Sequence, residues 1–121
     1  MREIKFRAWN IEDKTMGIPF TLQTAVGSRS HNGVDTKNVI YLEFTGLKDK
    51  NGKEIYEGDI LELTIHSGVY VVAFENAEYV IYRQQVERDM TFHLGGYKQE
   101  VINVIGNIYE NPELLNNNKA A

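Results

Sequence analysis

Polar and apolar residues alternate at the start of the chain. In EIKFRAW, Ile4, Phe6 and Ala8 share one face of an extended segment, and Lys5, Arg7 and Trp9 share the other. This pattern predicts a half-buried first strand. NIEDKTM reads as a turn, after which MGIPFTLQT is apolar enough to pair back, with Pro19 confining it to an edge or a strand start. Residues 25–38, AVGSRSHNGVDTKN, are polar and without period, the pattern of a mobile loop. VIYLEF is a short strand. DILELTIH then sets Ile60, Glu62 and Thr64 against Leu61, Leu63 and Ile65. VYVVAFE, EYVIYRQ and MTFHL are β-branched and aromatic, bounded by Ser67-Gly68, Asn76-Ala77 and Gly95-Gly96, and EVINVIGNIYE closes the series.

Strands this short and evenly spaced predict a mainly β fold. The expectation is one domain over residues 1–121: an N-terminal β segment (1–55) packed on a small antiparallel barrel-like part (56–115), with a frayed tail at 116–121. Helix is confined to a very short C-terminal turn in ENPELL, with Asn111 as cap and Pro112 in the first helical position.

The segment TGLKDKNGKEIYEGDILEL concentrates charge and glycine, and its chemistry is that of turns. Asn51-Gly52 is a strong hairpin signal, because a type I′ turn needs positive φ at both central residues. In YEGDIL, Gly58 can take a left-handed conformation and Asp59 can accept from nearby backbone N–H groups, which redirects the chain into a new strand. Asn51, Gly52, Gly58 and Asp59 are therefore structural turn residues.

Composition narrows the function classes. The chain has 121 residues, 42% hydrophobic and 25% charged, enough for one core and typical of a globular domain. The absence of cysteine excludes disulfides, thiol catalysis and cysteine-ligated zinc. Neither an export leader nor a membrane-spanning run is signalled, so the expected setting is cytoplasmic, with no membrane partner. Thirteen Lys and Arg against seventeen Asp and Glu give a net charge of −4 without a basic run, and duplex DNA is not an expected partner.

No cofactor or metal site is signalled by spacing. DKNGKEI resembles the start of a calcium loop, but Lys53, Glu54 and Ile60 occupy the places that need an acid, a glycine and a bidentate Glu. His31, His66 and His93 lie far apart in sequence. Nucleophile and phosphate-loop motifs are absent. Glu57 and Asp59 are the residues available to an acid-assisted hydrolase of nucleic acid or nucleotide, the alternative enzymatic reading, and such a site would need Asp59, Glu62, His66 and His93 to converge. Trp9, Tyr70, Tyr79, Tyr82 and Arg83 are weaker binding candidates: stacked aromatics with an arginine can hold single-stranded nucleic acid, although cross-strand aromatic pairs also simply stabilise sheets.

Three blocks carry a resemblance. MREIKFRAWN, FTGLKDKNGKEIYEGDILEL and VIGNIYENPELL, in this order and spacing, are similar to the YopX family of small proteins from phages and prophages. Asn10 and Glu43 depart from the family pattern, where an acid and a Gln are expected. The resemblance implies a phage or prophage origin, a host-cytoplasmic setting and a predominantly β fold. It brings no reaction, cofactor or catalytic residue. Together these readings point to a non-enzymatic accessory protein whose partner is an unidentified host or phage macromolecule.

Overall fold

In the computed structural model, which describes residues 3–21, 38–83 and 91–115, ten strands form two five-stranded antiparallel sheets. The predicted loop at 25–38, apart from Asn38, and the tail at 116–121 lie outside the described residues, as does His31.

The first sheet is built on β1 (Lys5–Asn10), which pairs on one side with β2 (Thr15–Met16) and β3 (Phe20–Thr21) and on the other with β4 (Val39–Lys48). Pro19 sits in the gap between β2 and β3, as its missing N–H requires. β4 continues into β5 (Glu54–Tyr56). Contrary to the usual sense of the pattern, the face of β1 bearing Lys5, Arg7 and Trp9 is the better buried one: Trp9 is 8% exposed, whereas Ile4 is 48% exposed. The two cations are tolerated there because each has a carboxylate partner.

The second sheet runs β10-β6-β7-β8-β9, from β6 (Asp59–Leu63), β7 (His66–Glu75), β8 (Glu78–Tyr82), β9 (Thr91–His93) and β10 (Ile102–Asn107), and curls into a half-barrel. Its inner face, with Ile55 and Leu94 added, is the apolar core of Leu61, Leu63, Tyr70, Val72, Ile81, Ile102 and Val104. Ile60, Val69, Val71 and Val80 on the opposite face are buried as well. Among the described residues helix is limited to short 3-10 turns, including Leu94–Gly96, Gln99–Val101 and residues 112–115.

Turn chemistry is redistributed relative to the sequence pattern. Gly52 has φ +81°, but Asn51 is not left-handed. The loop has three residues rather than two: Gly52 N–H donates to Asp49 O and Asp49 N–H to Lys53 O. The two-residue turn with positive φ at both positions lies instead at Asn76 (52°) and Ala77 (65°), between the paired Glu75 and Glu78. DILELTIH breaks after Leu63, which pairs with His66 across Thr64 and Ile65, leaving Ile65 56% exposed. Ser67-Gly68 is an irregularity inside β7, where the pairing with β6 shifts, rather than a turn. In ENPELL the Asn111 side chain does not cap the turn that follows: its Oδ1 accepts from Asn107 N–H, Leu114 N–H goes to the Asn111 backbone carbonyl, and Asn107 Oδ1 accepts from Tyr109 and Glu110 N–H in the preceding turn.

Gly58 marks the passage between the sheets. Its N–H donates to Val72 O, its carbonyl accepts from Ile108 N–H, and φ is +82°. A Cβ there would stand 3.0 Å from the Tyr109 ring. Gly58→Val is therefore expected to destabilise the fold by about 1 to 3 kcal/mol, and chemical denaturation with wild-type stability would refute this role. Conversely, Ala77→Gly removes a left-handed Cβ and is expected to stabilise by about 0.5 to 1 kcal/mol. A fall in denaturation midpoint would show that Ala77 makes contacts outweighing its backbone strain.

Candidate functional site

Two regions gather polar or aromatic side chains: a buried polar junction between the sheets and an aromatic strip on the inner face of the second sheet. The junction is built on YEGDIL. Asp59, 1% exposed at the start of β6, accepts from Arg7 of β1 through Oδ1 and from Tyr56 N–H through Oδ2 at 2.8 Å. The Arg7 guanidinium lies 4.5 Å over the Tyr56 ring. Alongside, Lys5 reaches Glu54 at 2.6 Å, and Tyr56 OH donates to the other Glu54 oxygen at 3.0 Å. Glu57 Oε1 accepts from Glu43 N–H, and Glu43 Oε1 accepts from Tyr79 OH at 2.7 Å.

The electrostatics follow from burial. Loss of solvent pushes the Asp59 carboxyl up to about 6, against the pull of Arg7 and the Tyr56 N–H. Burial, then the hydrogen bond to Glu54, pushes the Tyr56 phenol up. Glu54 feels burial too, but the bonds from Lys5 and Tyr56 prevail and hold it below its ordinary value. Lys5 is raised chiefly by its bond to Glu54.

Asp49 plays a parallel structural part that the sequence reading passed over. It is 1% exposed, and its Oδ1 accepts from Asn51 and Lys53 N–H while Oδ2 accepts from Val104 N–H at 3.0 Å. Burial raises its carboxyl, and these three backbone donors more than offset that and hold it below the ordinary range. With Lys50 N–H on Ile102 O, the hairpin tip is docked on the edge of β10. The available signal was positional: an Asp at the first position of a turn accepts from the N–H two residues on. Arg7 carried no signal of its own beyond sharing a strand face with Trp9.

This arrangement gives the carboxylates structural duties. Both Asp59 oxygens are occupied, and Glu57 is tied to the β4 backbone. Asp59, Glu62, His66 and His93 do not converge. Glu62 and His66 line a shallow groove with Lys50, Ser67 and Asn103, and His93 pairs with Glu78 on the outer sheet strands. Among the described residues, no group of three or more His, Cys, Asp or Glu is placed to hold a metal ion.

The aromatic candidates divide between faces. Trp9 is buried with its ring 5.6 Å from Tyr109. Tyr82 is opposite Val71, on the face away from the core. Tyr70 and Tyr79 lie on the inner face, joined by two aromatics absent from the sequence candidates: Phe74, 49% exposed, against Tyr79 at 4.9 Å, and Phe92, 39% exposed, against Tyr70 at 6.4 Å. Arg83 follows Ile81 on this same face, and its guanidinium rests on Gly68: a Cβ there would fall 2.8 Å from Nη2. Period-2 alternation could have placed Phe74 and Phe92 with Tyr79, but not shown that this end of the face stays open.

Mainly β architecture with a curled antiparallel sheet defines the structural class. The family described as YopX protein matches residues 5–116, and the chain belongs to that family. Protein EF1440 from Enterococcus faecalis is similar in structure, with TM-score 0.63 and 27% identity over 95% of this chain and 99% of that one. Protein yopX from Bacillus subtilis shares the fold, with TM-score 0.53 and 18% identity over 92% and 95% of the two chains. No curated protein matches in sequence.

The junction makes stability depend on pH in a specific sense. Asp59 has a raised folded pKa, so the folded state binds its proton more tightly than the unfolded chain. Its contribution is fully present below about pH 4 and is lost as pH rises through about 6, on the order of 1 to 3 kcal/mol. Asp49 and Glu54 are lowered and act oppositely, losing stability as pH falls below the ordinary carboxylate range. Urea denaturation is expected to give a maximum near pH 4 to 5, and Asp59→Asn is expected to flatten the limb above it. At neutral pH, Asp59→Asn keeps one acceptor and costs about 1 to 2 kcal/mol, whereas Asp59→Ala strands buried Arg7 and costs about 3 to 5 kcal/mol. Stability rising from pH 4.5 to 7, or an alanine variant as stable as wild type, would contradict this account.

Proposed function

We propose that the chain is a non-enzymatic interaction module, a phage- or prophage-encoded accessory protein acting in the host cytoplasm, and that it binds a protein partner through the open end of the inner face of its second sheet. The observation that supports this is that Phe74, packed on Tyr79, and Phe92, packed on Tyr70, are exposed and continue the apolar core surface into solvent. Exposed, adjoining aromatics are the side chains that supply most contact energy at protein interfaces. The carboxylates a hydrolase would use are engaged in holding the sheets together. Origin and setting rest on the family resemblance; among the described residues no helix is long and apolar enough to cross a membrane. Duplex DNA is not the partner, given the charge of −4.

A photo-crosslinking amino acid placed at Phe74, at Phe92, and at exposed Ile18, between β2 and β3, tests the reading. The expected outcome is one identified protein captured from positions 74 and 92 and not from 18, with capture at 92 lost in the Phe74→Ser background. Equal labelling from all three positions, or a product that is nucleic acid, overturns it.

A further inference from the structure

Resting on that reading, the strip has an electrical direction. Its two ends are four residues apart along β7, Tyr70 to Phe74, or roughly 13 Å of extended chain. At the Phe74 end, Tyr79 OH is bonded to Glu43, and Glu57 is fixed beside it on the β4 backbone. At the Tyr70 end stands Arg83. Its Nε is buried without a hydrogen-bond partner, and no carboxylate among the described residues pairs with its terminal nitrogens. Gly68, at φ +91°, lets the guanidinium lie within 2.8 to 3.1 Å of where a Cβ would be, so the cation is held in place by packing rather than by a counter-charge. A part-buried guanidinium with no carboxylate partner among the described residues, in a chain of net charge −4, is costly, and such a group calls for an explanation.

We infer that Arg83 is an anion-recognition point, and that the segment docking on the strip is an extended peptide with an aromatic or aliphatic side chain over Phe92 and Phe74 and a carboxylate at the Arg83 end. The planar fork of arginine matches a carboxylate. The acidic end at Glu43 and Glu57 opposes a polyphosphate running the length of the strip, which selects a peptide over single-stranded nucleic acid. An acid at one end and a cation at the other also fix the direction in which the segment lies.

The test uses two blocked tripeptides, acetyl-Phe-Ala-Glu-amide and acetyl-Phe-Ala-Gln-amide, titrated into the 15N-labelled full chain and followed by amide and arginine Nε–H resonances. The expected result is saturable shifts at Arg83, Tyr70 and Phe92 with the acidic peptide. The neutral peptide is expected to bind about tenfold more weakly, the loss of one charge-assisted bond. Arg83→Gln should erase the difference between the peptides while its spectrum stays folded; Arg83→Lys, which keeps the charge, should retain part of it. Equal binding of both peptides on the strip overturns the anion point and leaves the aromatic face standing. No shift from either at millimolar concentration overturns the inference, while the crosslinking experiment decides separately on the face. Tighter, steeply salt-dependent shifts with a single-stranded oligothymidylate would assign the site to nucleic acid and overturn the peptide.

Discussion

The ion pair between Arg7 and Asp59 joins the first strand of one sheet to the first strand of the other, across 52 residues of sequence. A carboxylate buried to this degree is expensive unless every oxygen is occupied, and here the second oxygen takes the Tyr56 N–H. The arrangement leaves little freedom. Tyr56 must present both its backbone to Asp59 and its ring to Arg7, and Gly58 must turn the chain between them with a left-handed backbone. The neighbouring Lys5–Glu54–Tyr56 contacts then follow on the same face of β1. A buried pair of this kind contributes less to net stability than to the choice of one relative placement of the sheets, because any other placement strands a charge.

Other buried polar groups serve closure. Asp49 carries the hairpin tip onto β10, and Asn107 organises the turn that brings Tyr109 against Trp9. Both act on the β10 side of the second sheet, so that edge is covered by side-chain and backbone bonds rather than by another strand. On the β8–β9 side the polar ties are the Tyr79–Glu43 bond to the first sheet and the His93–Glu78 pair, and there Phe74 and Phe92 of the inner face reach solvent.

The mainly β class, the period of the strands and the existence of the turn at Gly58 were legible in the sequence, because alternation and left-handed glycine chemistry are local properties of a few adjacent residues. The family was legible too, from three blocks whose spacing survives along the chain. What alternation cannot state is which face will be covered. On β1 it divides Ile4, Phe6 and Ala8 from Lys5, Arg7 and Trp9, yet the cationic face turned inward because Glu54 and Asp59 arrive from distant strands to pair with it. On β8 it separates Tyr79 from Tyr82 without showing that one would border an open strip and the other would face away from the core. The turns make the same point. Asn51-Gly52 had the residues for a two-residue hairpin, but Asp49, fastened to Val104, drew Lys53 into a three-residue loop, while Asn76-Ala77 accepted the strained geometry because β7 and β8 pair in register on either side of it. Local sequence determined which conformations were available; long-range pairing of buried charges and strands, a tertiary property, decided which were used.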